Sequence, residues 1–143
     1  MVSVSERSPA GGALQPACTA ESLSDLRSRA KHELGHEIPD EYAALLATCN
    51  GLDWNGLVVY ASERTRIVGY SDRFVEGFVE ANRDHREFEP MKDFLVFADD
   101  GTVVYTYCIS RNKFQEVTSV GLSVLEEFDT FDDLLRNALE SHL

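Results

Sequence analysis

The sequence predicts a single α+β domain in which a twisted, mostly antiparallel sheet is packed by several helices. Three observations predict it: a proline-led helix that stops at Asn50-Gly51 and turns into an apolar strand, further strand-like runs between Phe94 and Phe128, and an amphipathic helix near the end. Short turn signals separate the later runs, and hairpin-length connections make neighbouring strands antiparallel. A chain of 143 residues lies near the usual single-domain size, and 43% hydrophobic residues suffice for one core.

Met1 to Ala20 is rich in Ser, Ala, Gly and Pro, with Pro9, Gly11, Gly12 and Pro16, and is expected to be a flexible or irregular leader (1–20) before the domain at 21–143. Leu23, Leu26 and Ala30 mark a first helix, with Ser22 or Ser24 as its cap and Gly35 close to its end. Pro39 suits the first turn of a second helix because its missing N–H would be unpaired there; Asp40 and Glu41 place negative charge at the positive end of the macrodipole. Tyr42, Leu45 and Leu46 form an apolar stripe, and Asn50-Gly51 supplies residues that tolerate positive φ at a helix end. Asp53-Trp54-Asn55-Gly56 reads as a second turn before the strand Leu57-Val58-Val59-Tyr60.

Asp72 to Arg86 reads as a third helix, with Phe74, Val75, Phe78 and Val79 at helical spacing between Gly69-Tyr70-Ser71 and the break at Pro90. Phe94 to Phe97, Thr102 to Cys108, Phe114 to Val120 and Ser123 to Phe128 read as strands, joined by Asp99-Asp100-Gly101, by Ser110-Arg111-Asn112 and around Gly121. Tyr105 and Tyr107 share a strand face with Val103, an apolar face that reads as core. Thr130 is the expected cap of the last helix, whose apolar face is Phe131, Leu134, Leu135, Ala138 and Leu139.

The net charge of −12, from 25 acidic and 13 basic residues, argues against direct nucleic-acid binding, because neutralising phosphates needs clustered Lys and Arg. It suits a basic partner, or simply solubility. Cys18, Cys49 and Cys108 are odd in number and lack C-x-x-C spacing, so neither a disulfide framework nor a zinc ribbon is expected. Residues 1–17 lack the apolar h-region of a signal peptide, and no run approaches the ~18 apolar residues of a membrane span. The expected location is the cytoplasm.

His32-Glu33-Leu34-Gly35-His36 matches H-E-x-x-H, in which two His one helical turn apart bind zinc and the Glu activates a water. Against it, Gly35 weakens the helix and Pro39 disfavours its continuation through Ile38. Arg29, Lys31 and Glu37 make the surroundings charged, and the motif reads as a chance match at a solvated helix end. Asp99-Asp100 offers paired carboxylates but reads as a hairpin turn, and Cys49 reads as a small buried thiol rather than a nucleophile. His85 and His142 are expected at the surface. There is no phosphate loop and no G-x-S-x-G elbow, so neither catalytic residues nor a cofactor are expected.

Three segments together resemble the SUKH superfamily: Ile38 to Tyr60, Phe94 to Tyr107 with its acidic-glycine turn, and Phe128-Asp129-Thr130-Phe131-Asp132-Asp133-Leu134-Leu135. The resemblance spans roughly Leu23 to Leu139. It implies a compact α+β domain that serves many bacteria as an immunity protein neutralising a cognate toxin, and fungi as a regulatory interaction module. An acidic surface then suits a basic, nucleic-acid-degrading toxin, occluded without catalysis. Trp54 is the candidate interface anchor, although it can instead fold onto the sheet. Asn55 of the same turn joins the candidate partner-binding set, and Asp53, Glu63, Asp99 and Asp100 supply an acidic rim that speeds association. A zinc hydrolase using His32, Glu33 and His36 is the rival from another class, and a regulatory scaffold is the alternative within binding modules.

Overall fold

The computed structural model describes residues 13–143. Its main sheet has seven strands: β1 (Ala13–Leu14), β2 (Leu52–Trp54), β3 (Leu57–Val59), β6 (Phe94–Asp99), β7 (Val103–Cys108), β8 (Lys113–Thr118) and β9 (Val124–Phe128). They lie in the order β1-β2-β3-β6-β7-β8-β9, and every neighbouring pair is antiparallel. Between β3 and β6 the chain makes a second, two-stranded sheet from β4 (Thr65–Arg66) and β5 (Phe74–Val75), and then α3 (Phe78–His85). Three other helices, α1 (Ala20–Arg29), α2 (Asp40–Thr48) and α4 (Phe131–Ser141), complete the α+β domain that the sequence predicts.

The expected caps hold in part. Thr130 Oγ1 accepts from Asp133 N at 3.1 Å, as predicted, and Glu41 Oε1 reaches from α2 to accept from Phe131 N at 3.0 Å. Two of the four donors orphaned at the start of α4 are thereby satisfied, one by a residue 90 positions away. The cap of α1 is Thr19, accepting from Ser22 N, rather than Ser22 or Ser24. Within the expected leader, Ala13–Leu14 pair with β2, Cys18 N donates to Leu46 O, and Gln15 bonds Arg66 O and Val68 N through its side chain. Residues 1–12 lie outside the described residues.

Two readings are corrected. Leu52–Trp54 is a strand, and only Asn55-Gly56 form the hairpin turn, both with positive φ (51° and 90°). That is the two-residue Asn-Gly turn whose twist matches the flanking strands. The helix read over Asp72 to Arg86 starts only at Phe78. Phe74 and Val75 form β5, where Val75 is buried with Ala61 and Ile67 while Phe74 faces out beneath the Arg64 guanidinium at 4.4 Å. Helical spacing cannot distinguish these cases because Phe74, Val75, Phe78 and Val79 fit either one helix or a strand followed by one.

The core centres on Phe97. Its ring lies 5.1 Å from Tyr42 of α2, 5.5 Å from Phe78 of α3 and 5.2 Å from Phe131 of α4, so three helices converge on one strand. Offset and edge-on aromatic contacts of this kind add to plain area burial. Beside it α3 takes over from a strand. β3 pairs with β6 only at Asp99 and Ala98, and beyond that point Asn82 accepts from Val96 N at 2.7 Å and donates to Val96 O at 2.8 Å. One helical turn on, Arg86 donates to Phe94 O at 3.1 Å. The i,i+4 spacing of a helix, roughly 6 Å, matches the ~6.6 Å between alternate strand residues, so side chains complete a backbone ladder that β3 abandons.

Candidate functional site

The H-E-x-x-H segment ends its helix before the second histidine. α1 runs into a π-helical turn, Ala30–Leu34, and Gly35 closes it in the left-handed region (φ 74°), its N–H donating to Lys31 O at 3.1 Å. His36 therefore lies past the helix, its ring 5.5 Å from that of Tyr107 and its Nδ1 3.0 Å from Glu37 O. Glu33 is held in ion pairs by Arg29 and Arg83, each at 3.1 Å. The Arg29 hydrogen bond, with that of Arg83, keeps its carboxyl below the usual range, the reverse of what a general base requires. Among the described residues no group of three His, Cys, Asp or Glu converges on a metal position.

The other catalytic candidates are likewise engaged. Cys49 is buried and donates to Gly51 O at 3.0 Å, and burial raises its thiol pKa, so thiolate is disfavoured. Asp99 and Asp100 sit at the β6–β7 turn, as expected. Asp99 accepts from Tyr60 Oη at 2.5 Å and from Gly101 N. Asp100 accepts from Thr102 N, Thr102 Oγ1 and Val103 N, and its other oxygen lies 3.0 Å from His142 Nε2. Burial works to raise the Asp100 pKa, but the Thr102 and Val103 amides and His142 outweigh it and the net shift is downward.

His142 is not at the surface: its side chain is 11% exposed. It joins two turns that are far apart in sequence. Asn55 Nδ2 donates to His142 O at 2.7 Å while the ring meets Asp100, so the β2–β3 turn, the β6–β7 turn and the end of α4 form one edge of the molecule. Ser119 extends that edge, its N–H donating to Thr102 O and its hydroxyl to Gly101 O. Of the predicted partner-binding residues, Trp54, Asn55, Asp99 and Asp100 are thus brought to the same turn-bearing end. Asp53 lies beside them in β2, ion-paired to Arg73 at 2.7 Å, and Trp54 is half-buried. Glu63 is elsewhere, an exposed residue whose backbone lies against Gly77 at the start of α3.

His85, too, differs from expectation. It is half-buried, and its Nε2 lies 3.0 Å from the Tyr60 hydroxyl that also bonds Asp99. Loss of solvent lowers its pKa against the pull of Asp99 and Asp84. Burial likewise lifts the Tyr60 pKa, so its phenol stays protonated. Beside His85 a cleft of about 320 Å³ opens between the C-terminal end of α3 and the β8–β9 turn, with Asp84, Phe88, Val104, Ser119 and Leu122 among its walls. Three separate segments build it, and no sequence motif marks it. Phe88, an aromatic amid charged residues in the sequence, is 58% exposed there.

A family model described as SUKH_6, SMI1-KNR4 cell-wall, matches residues 25–129, most of the chain. No curated protein matches the chain. Among the described residues no helix is long and apolar enough to cross a membrane.

Proposed function

The chain belongs to the SUKH superfamily, and from that premise we propose that it is a non-catalytic immunity protein that binds a cognate bacterial toxin and occludes its active region. One observation carries this reading: within a domain of a family that implies protein partners, Glu33, Cys49, Asp99 and Asp100, which the sequence offers for chemistry, are committed to internal contacts. Glu33 is in ion pairs, Cys49 is a buried hydrogen-bonded thiol, and Asp99 and Asp100 each hold a turn.

The proposed docking face is the turn-bearing end of the sheet. Trp54 contributes the aromatic anchor, Asn55 shapes the turn, and Val120, 88% exposed on the β8–β9 turn, adds apolar surface. Asp53, Asp99 and Asp100 are engaged within the chain, so they act by fixing shape and local potential rather than as free ion-pair partners; Glu63 lies outside this face. An interface of standard size, on the order of 1,600 Å² in total, covers such an end together with its flanks. A net charge of −12 favours a basic partner, such as a nuclease.

The test is calorimetric titration of the purified chain with the toxin encoded beside it. A one-to-one complex weakened at least tenfold by Trp54→Ala supports the reading, and no binding refutes it. A regulatory scaffold of the kind suggested by the family's cell-wall description is the second reading, and it predicts capture of a signalling protein rather than inhibition of a toxin.

A further inference from the structure

The cleft beside α3 has the walls of a side-chain pocket. Phe88, Met91, Val104 and Leu122 supply apolar surface, and Asp84 and His85 supply polar groups. Its volume, about 320 Å³, is at the bottom of the roughly 300–1,000 Å³ range of small-molecule sites, which suits one long side chain better than a cofactor.

The hydrogen bonds behind the cleft define what His85 can offer. The Tyr60 hydroxyl has a single proton, and its 2.5 Å contact with the Asp99 carboxylate uses it. The tyrosine oxygen must then accept from His85 Nε2 at 3.0 Å, which puts the imidazole proton on Nε2. Burial keeps the ring neutral, so Nδ1 retains its lone pair as an acceptor.

The charges around the cleft are unbalanced. Arg83 is taken by Glu33, Arg86 by the carbonyls of Leu34 and Phe94, and Lys92 by Glu89. Asp84, exposed, has no ion pair or side-chain hydrogen bond among the described residues. An apolar slot with a free carboxylate and a neutral imidazole acceptor matches a cation on an aliphatic stem: the walls take the methylenes while the two acceptors take the charged head.

We infer that this cleft is an anchor site for a lysine side chain presented by the protein partner. The inference rests on the binding reading above and specifies the partner's chemistry at one point of contact. Ser119 and Leu122 of the β8–β9 turn line the cleft, so it is continuous with the proposed docking face.

Nuclear magnetic resonance of the ¹⁵N-labelled full chain tests it with two probes, Nα-acetyl-lysine methylamide and its uncharged counterpart Nα-acetyl-norleucine methylamide. The expected result is saturable shifts of the Asp84, His85, Phe88, Ser119 and Leu122 amides with the lysine probe. The norleucine probe should bind at least fivefold more weakly, and Asp84→Asn should bring the lysine probe down to that level while leaving the rest of the spectrum unchanged. Equal binding of both probes, shifts outside the cleft, or no shifts overturns the inference. Because no toxin is involved, failure here leaves the immunity reading standing. Failure to bind any toxin would remove that reading whatever the titration shows.

Discussion

Asn50 and Gly51 divide the work of the motif they form. Asn50 does not take positive φ; its side chain accepts from Ser62 N at 2.8 Å and donates to Ser62 Oγ at 3.1 Å, tying the end of α2 to the segment after β3. Gly51 takes the left-handed conformation (φ 96°) in a crowded place, where a Cβ would lie 3.0 Å from Val75 Cγ1, 3.1 Å from Ala61 Cβ and 3.2 Å from Val59 O. Gly101 has a similar φ, 92°, with nothing within 4 Å. Urea unfolding of the two alanine variants should separate conformation from crowding. Gly101→Ala is expected to lose about 1–2 kcal/mol for the left-handed backbone alone. Gly51→Ala, which adds overpacking, is expected to lose about 3 kcal/mol. Equal losses would mean that the neighbours of Gly51 yield freely. The sequence reveals the glycine requirement, because few residues accept that backbone. It conceals the reason for the asparagine, whose partner is a serine 12 positions on.

At the scale of elements, local signals were enough where neighbours in sequence are neighbours in space. The strands β6 to β9 and helices α2 and α4 follow from their own periodicity and turns. β2 and β5, with three and two residues, are too short to show a period of their own, and the start of α3 depends on a contact across the chain. Gly77 begins α3 where a Cβ would come within 2.8 Å of the Glu63 backbone, a contact no helical pattern encodes. The join of α3 to β6 rests on Asn82, which is fully buried. Asn82→Leu would leave Val96 N–H and C=O without their side-chain partner, and is expected to cost about 3 kcal/mol in equilibrium unfolding. A loss under ~1 kcal/mol would show that the helix does not substitute for a strand.

Glu116 joins β8 to α4 through a hydrogen bond from Asn137 and stands directly across from Glu126 on β9. Burial, with repulsion from Glu126 and Asp100, raises its pKa despite the Asn137 bond. A carboxyl whose folded pKa is raised favours the fold most when protonated, so its contribution falls as pH rises through the window between the unfolded and folded values. Glu116→Gln keeps an acceptor for Asn137 and removes the charge. The variant should be more stable than the parent at pH 7, and the advantage should shrink as pH falls through the raised folded pKa and be gone once it reaches the ordinary glutamate value. A constant difference across pH in thermal melts would contradict this.

For the whole molecule, the family and the acidic balance were legible in the sequence, because both are spread over many residues. The candidate site was legible only as pieces. Trp54, Asn55, Asp99 and Asp100 were singled out separately, whereas His142, which joins the two turns, and the Tyr60-Asp99-His85 chain required the folded structure. Glu63 shows the limit of choosing by residue type, since an exposed acid in a loop says nothing of which end of the sheet it occupies. With a net charge of −12, association with a basic toxin should be steered electrostatically. Stopped-flow association rates are expected to fall about tenfold between low and high salt while dissociation changes little. A salt-independent rate would mean that the acidity serves solubility alone.

The most direct measurement of the central claim is survival of cells that express the neighbouring toxin with and without this chain, with copurification and elemental zinc analysis on the same sample. The account predicts rescue, a stoichiometric complex and no zinc. Failure to rescue, with one tightly bound zinc per chain, would contradict it and return His32, Glu33 and His36 to consideration as an enzyme's metal site.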